Sequence, residues 1–537
     1  MIHPLELHEI RSCIGSFLSS SDLLNCACVS KEWNSTFSDL IWRHITLDNS
    51  SSSRRRPLPT VGQVHAHSGL IHALTLKNQL PNEYYLVDNL YRLYSLQVNY
   101  RLSCRTRPIL PLLSNLIEAH SSSLKQFQFD GWNNIISVQT FNAVGTCQGL
   151  TSLWLSNVIL PSTAFKALLD ACANIGKVAE EEDGDSIYLI SRKKPGGLAE
   201  LRLEDLSIRD FNAEIFATQT PLSHVEQIHI QEIYGMEPNA QLQLLVLCPN
   251  IRSLYWRGIL FKVKFQVHQW VYYIEAGMWP LLTCLDVLGE EFYDEALSRV
   301  ISRLPLSLEK LLVRATGFGR MAFNSLISAE RHYNHIRELE LFACSDVTSS
   351  MIQQIMVKMP ALESFSANRL CVTDILGTPS ETNRNDGDVG DNGRHHGSGQ
   401  EWVCKNLRTL RLCIDMGVAS DPTTLEYNER QRQVHLRLST LQSLEILELS
   451  RNLPYRAGIV KVRKLDHKMN TGLRHLASLK RIRKFLFRPG QSLTTEEIEW
   501  MTDTWKSLST VSRNMNLDQD INDKLVASLA QHGIAVV

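Results

Sequence analysis

Along most of this chain apolar residues recur at positions i, i+3 and i+5, and the triplets themselves return at a nearly constant interval. The clearest are Leu150/Leu153/Leu155, Leu198/Leu201/Leu203, Ile336/Leu339/Leu341, Leu407/Leu410/Leu412 and Leu444/Leu447/Leu449. Degenerate copies keep the spacing at Leu124/Phe127/Phe129, Val225/Ile228/Ile230, Ile251/Leu254/Trp256, Leu282/Leu285/Val287, Leu308/Leu311/Val313 and Leu362/Phe365/Ala367. Weaker ones open the series at Ile71/Leu74/Leu76 and Leu93/Leu96/Val98 and close it at Ile482/Phe485/Phe487. Alternation by two predicts a short strand with one face turned inward. The stretch that follows often reads as helix: in Ser349–Lys358, Ile352, Ile355 and Met356 share one face. Pro249, Pro280 and Pro360 each lie two residues ahead of a triplet, where a helix has to stop before the next strand.

Triplets begin at 124, 150, 198, 225, 251, 282, 308, 336, 362 and 407, mostly 26–31 residues apart. That interval lies in or near the leucine-rich-repeat range of about 20–29 residues. The expected fold is therefore α/β, a leucine-rich-repeat solenoid. The copy from Ile336 to Pro360 resembles the cysteine-containing subtype of that repeat, and Cys344 reads as a small buried residue at a turn. The two long steps look like repeats carrying insertions near 179–195 and 378–401. The second insertion is almost devoid of apolar residues and is expected to be disordered.

The first 47 residues follow another rule. Leu7, Ile10, Ile14, Phe17 and Leu18 recur at helical spacing, and Ser19–Asp22 offers caps for a second helix beginning at Leu23. Ser30 is a candidate cap for a third, on which Trp33 and Phe37 lie four apart. Three or four short helices make only a marginal core, which favours docking on something else.

Pro4-Leu5-Glu6, Ile10, Phe17-Leu18, Asp22-Leu23-Leu24, Cys28-Val29-Ser30, Trp33-Asn34 and Leu40-Ile41-Trp42 together resemble the F-box of fungal F-box/leucine-rich-repeat proteins. The pattern runs over residues 3–47, with His3 standing where a leucine often precedes the proline. The resemblance implies a small all-α domain that docks on the adaptor subunit of an SCF-type ligase and, through it, on the cullin and RING subunits. By matching positions, Pro4, Leu5, Ile10, Ile14, Leu18, Leu23, Leu24, Val29, Trp33 and Trp42 divide between that interface and the domain's own core. A plain N-terminal cap on the first repeat is the alternative, since solenoid ends need polar caps.

The organisation expected is an F-box domain at 1–47, a polar linker at 48–64, a repeat array at 65–490 and a C-terminal cap at 491–537. Leu493-Thr-Thr-Glu-Glu-Ile-Glu-Trp-Met501, with threonine followed by glutamates, reads as the capped start of a helix in that last segment, with Ile498, Met501 and Trp505 on one face. The 55 basic and 56 acidic residues give a net charge of -1, so no global field favours nucleic acid or an anionic membrane. No apolar run reaches the length of a membrane span, and the N-terminus lacks the pattern of a signal peptide. Twelve scattered cysteines show neither zinc spacing nor a disulfide framework, as expected of a cytoplasmic or nuclear protein.

No P-loop, nucleophile elbow, zinc-protease or dinucleotide motif is present. The chain is therefore expected to be a non-catalytic substrate receptor that uses no cofactor or metal, with an unnamed protein as target. Residues flanking the inward triplets would meet that target on the concave face: Trp154, Arg202, His229, Tyr255, Arg257, Arg314, Phe342 and Arg411. Aromatic residues and arginines dominate many interfaces. A repeat scaffold outside any ligase is the other reading.

Overall fold

All fourteen triplets form strands whose three inward residues are at most 4% exposed. A computed structural model describes residues 4–49, 58–78, 80–100, 110–175, 197–257, 267–289, 292–328, 330–377, 400–417, 425–450 and 463–537. The insertion at 179–195, residues 378–399 of the second insertion and the arginine run at 54–56 lie outside the described residues. The chain divides into two units, residues 1–265 and 266–537. Each is a parallel-strand α/β solenoid, and the first carries a small all-α segment at its start.

That segment consists of α1 (His8–Gly15), α2 (Ser20–Ala27) and α3 (Lys31–Arg43). It runs without interruption into β1 (His44–Asp48), whose Ile45 and Leu47 are buried. β1 pairs in parallel with β2 (Ala73–Lys77), so residues 44–48, at the boundary expected between helical domain and linker, form the first strand of the array. Part of the stretch expected as linker is also ordered: Thr60 and Gln63 form a capping box for α4 (Val61–Ala66). The sheet of the first unit continues through β3 (Ser95–Asn99), β4 (Gln126–Ile135), β5 (Ser152–Pro161), β6 (Glu200–Glu204), β8 (Gln227–Gln231) and β9 (Ser253–Arg257).

Register in this unit is strict. Leu74, Leu96, Phe127, Leu153, Leu201, Ile228 and Leu254 are partners in turn. Burying each such side chain is worth about 1.5–3 kcal/mol, while a slip of one residue would turn every one of them outward. Beyond the inward pair the backbone bends: Asn157 within β5, and Asp205 and Glu232 just after β6 and β8, have φ of 54°, 51° and 49°. After the bend a second short ladder forms, with Ile135 beside Ile159, and Ile159 beside Ser207 of β7 (Ser207–Arg209).

The second unit stacks β10 (Cys284–Leu288), β11 (Lys310–Arg314), β12 (Glu338–Glu340), β13 (Ser364–Cys371), β14 (Thr409–Asp415), β15 (Ile446–Leu449) and β16 (Lys484–Phe487). Residues 491–537, expected as a cap, add two further strands, β17 (Thr510–Val511) and β18 (Ala535–Val536), in parallel to the same sheet. The helix expected there is present at Thr495–Thr504, where Glu497 accepts from the Thr494 amide at 2.8 Å, and Ile498, Met501 and Trp505 are buried. Cys344 is 1% exposed, and burial pushes its thiol pKa up, as befits a structural residue. Among the described residues, no helix is long and apolar enough to cross a membrane.

Candidate interaction surfaces

The helical segment sorts its apolar residues into two sets. Ser19 and Ser30 each accept from a backbone amide, of Asp22 at 3.3 Å and Trp33 at 3.2 Å, so α2 and α3 start where the sequence places their caps. Leu23, Ala27 and Phe37 are buried, and Leu18, Cys26, Trp33, Leu40 and Ile41 pack against them. Trp33 and Phe37 meet with ring centroids 5.4 Å apart. A Cβ on Gly15 would lie 2.4 Å from the Leu40 side chain and 2.9 Å from Phe37, so the absence of a side chain lets α1 close on α3. Arg11, buried, ties the ends together by donating to Thr36 Oγ1 and to the carbonyls of Leu5 and Glu6, all at 3.2 Å.

The other set faces outward. Leu5, Leu7, Ile14, Phe17, Leu24 and Val29 are exposed, Phe17 by 84%. Six of the twenty-three exposed large hydrophobics among the described residues thus fall within the first 29 residues. Ile10 is half-buried. Trp42 belongs to neither set; it stacks on His67 with centroids 4.2 Å apart, joining α3 to the array. Pro4 opens a 3-10 turn, Pro4–Glu6, and its side chain is outside what is described. The residues assigned by resemblance therefore separate: Leu18, Leu23 and Trp33 serve the core, while Leu5, Ile14, Leu24 and Val29 face solvent. Leu7 and Phe17, absent from that assignment, join the exposed group. Their helical spacing was visible, but spacing alone does not say which face a partner covers.

In the first unit, four of the residues expected to meet a target form one row. Trp154, Arg202, His229 and Tyr255 are direct neighbours on β5, β6, β8 and β9. All four are half-buried. Arg202 lies over the Trp154 ring at 5.4 Å, and His229 stacks on Tyr255 with centroids 3.7 Å apart. Two residues further along, Asp130, Ser156, Glu204, Gln231 and Arg257 make the next row. His229 Nε2 is 3.2 Å from Glu204, and Arg257 is 3.3 Å from Glu232. Burial pushes the Glu204 carboxyl up, opposed by Arg202 and by Trp154 as a hydrogen-bond donor, and reinforced by Asp205 and Asp130. Asp205 is raised by burial and then by Glu232.

In the second unit the outward face is held by internal ion pairs. Arg314 donates twice to Asp286, at 2.7 and 2.6 Å, and Arg411 pairs with Glu448 at 3.4 Å. Asp415, buried, is paired with Arg369. Phe342 is half-buried just beyond β12. Arg314 and Arg411 are thus engaged within the sheet, and Arg314, Phe342 and Arg411 form no continuous aromatic row like that of the first unit.

An F-box-like family model matches residues 8–48. Among solved structures, one in the yeast Rad7–Elc1 complex is 15% identical with a TM-score of 0.38, covering 68% of this chain and 81% of that one. A leucine-rich-repeat protein of Leptospira interrogans is 12% identical with a TM-score of 0.32, over 92% of this chain and 100% of its own. An internalin of Listeria monocytogenes is also 12% identical, with a TM-score of 0.33 and 89% of each chain covered. No curated protein sequence matches. The chain joins an F-box-like domain to a leucine-rich-repeat array.

Proposed function

We propose that this chain is the substrate-recognition subunit of an SCF-type ubiquitin ligase, its helical domain docking on the adaptor and its repeats holding a target protein. The observation that carries this reading is that the F-box-like match at residues 8–48 contains the exposed apolar residues Ile14, Phe17, Leu24 and Val29, with exposed Leu5 and Leu7 just before it. Burying that set against a partner would remove the exposed apolar surface that a soluble domain otherwise tolerates poorly. The chain performs no chemistry in this scheme. It holds the lysines of a target near a charged conjugating enzyme and so raises their effective concentration.

One observation favours a simple cap instead: β1 pairs directly with β2, so the helical segment is built onto the array. A cap, however, needs its apolar residues turned toward the repeats, and six of these are turned away. A pull-down with purified SCF adaptor, comparing the intact chain with Leu24→Ala/Val29→Ala, separates the two. Capture that is lost in the variant supports the ligase subunit. Failure of the intact, folded chain to capture the adaptor leaves a repeat scaffold outside any ligase.

A further inference from the structure

Among the described residues, carboxylates outnumber guanidinium groups on the outward face of the first unit beside its aromatic row. Around the Trp154–Tyr255 row stand the carboxylates of Asp130, Glu200, Glu204, Asp205 and Glu232, against the guanidinium groups of Arg202 and Arg257. Arg202 is drawn to Glu200 and Arg257 to Glu232. The hydrogen bond on Asp130 comes from a neutral donor, Asn157 Nδ2 at 3.0 Å. Glu204 faces His229 and feels Arg202, and Asp205 feels Arg257 as well as the like charges of Glu232 and Asp130.

The backbone imposes this crowding. Asp205 and Glu232 sit at equivalent left-handed positions after adjacent strands, and neighbouring strands are only about 4.8 Å apart. Asp130 and Glu204 are two strands apart in the same row, about 10 Å. In the second unit, Asp286 and Glu448 each have an arginine partner on the neighbouring strand.

From this arrangement we infer that the first unit's outward face binds an extended, arginine- or lysine-bearing segment of a protein partner. Its cations would sit among Asp130, Glu204, Asp205 and Glu232, beside the Trp154 and Tyr255 rings. Aromatic rings flanked by carboxylates are a favourable environment for a guanidinium, which stacks and donates hydrogen bonds at once. Acids spaced by about 5–10 Å match basic residues two or three apart on an extended chain. A nucleic acid is excluded as occupant, because its phosphates would meet the same carboxylates. A bare metal ion is disfavoured too, because among the described residues no three potential ligands are grouped closely enough to hold one. The inference rests on the reading that the repeats hold a target, and it names that target's chemistry.

The test uses the full-length protein and labelled Gly/Ser peptides carrying alternate arginines or, as a matched control, alternate glutamates, with binding followed by fluorescence polarisation. The arginine peptide is expected to bind, more weakly as salt rises. Asp205→Asn/Glu232→Gln is expected to weaken it about tenfold or more, and Trp154→Leu by about fivefold. Glu426→Gln/Glu429→Gln removes equal charge from a helix of the other unit and should change nothing. Equal binding of both peptides, or equal weakening by the two double variants, would overturn the inference. Arginine-peptide binding by a protein that does not capture the SCF adaptor would support it while removing the ligase reading.

Discussion

His435 Nε2 lies 3.4 Å from His467 Nδ1, and both imidazoles are buried. His435 Nδ1 donates to the Gln431 carbonyl at 2.9 Å, which leaves its Nε2 as the acceptor and requires His467 Nδ1–H to be the donor. The chain of donors is satisfied only if His435 is neutral. A second proton on His435 would set two N–H groups against each other among Phe485 and Phe487.

Acid should therefore weaken the second unit. Burial lowers the His435 pKa to about 4 and that of His467 well below its usual value. Both folded pKa values are depressed, so the unfolded chain takes up more protons as pH falls. The stability these rings contribute is complete above about pH 6.5 and is lost progressively below it, by up to about 1.4 kcal/mol per pH unit for each ring. Urea unfolding midpoints at pH 7 and pH 5 should differ, and His467→Leu should shrink the difference by about half. An unchanged difference in that variant would assign the acid sensitivity to other groups.

The Arg314–Asp286 pair makes the opposite kind of prediction. Burial raises the Asp286 carboxyl and Arg314 holds it down, so removing the arginine alone strands a buried charge. Arg314→Met should cost about 3 kcal/mol, whereas Arg314→Met/Asp286→Leu should recover most of that loss. Calorimetry of the single and double variants measures the coupling directly.

Gly235 has φ of 78°, and a Cβ there would lie 1.9 Å from the Ile208 carbonyl oxygen. The obstacle is backbone locked into the short second ladder, where the Ile208 amide donates to the Tyr234 carbonyl at 2.8 Å. Gly235→Ala should destabilise the first unit by at least about 2 kcal/mol, seen as an earlier thermal transition. Gly277, with similar φ but open space around it, should tolerate alanine at a cost of only about 1 kcal/mol.

In the helical domain, stability and docking should come apart. Leu23→Ala removes a buried side chain and should cost about 2–4 kcal/mol. Phe17→Ala and Val29→Ala should change stability by less than about 0.5 kcal/mol yet abolish adaptor capture in a pull-down. Loss of folding in the surface variants would mean that their exposure misrepresents their role.

The repeat triplets were legible because a solenoid imposes the same burial on the same three positions in each unit. Leu153 or Leu410 needs no distant partner to declare itself. The capping serines and Thr494 were legible for a similar reason, since a cap bonds an amide two or three residues away. The helical domain was legible as a pattern, but not as two faces: Leu23 and Leu24 are adjacent and equally apolar, and only the packing of α2 on α3 buries one and exposes the other. Nor did the stretch after Trp42 announce a strand, because Ile45 and Leu47 alternate too briefly to stand out from the helix before them.

By itself, then, the amino-acid order determined the α/β solenoid, its inward residues and the presence of a distinct helical domain, because those depend on local periodicity. Tertiary structure alone decided which apolar residues of that domain remain exposed, and that β1 joins it to the array. It also decided that Asp130, Glu204, Asp205 and Glu232, separated by up to 102 residues in sequence, crowd beside one aromatic row. Parallel strand stacking brings residues a whole repeat apart to within about 5 Å, and charge at that distance is invisible to any short window of sequence.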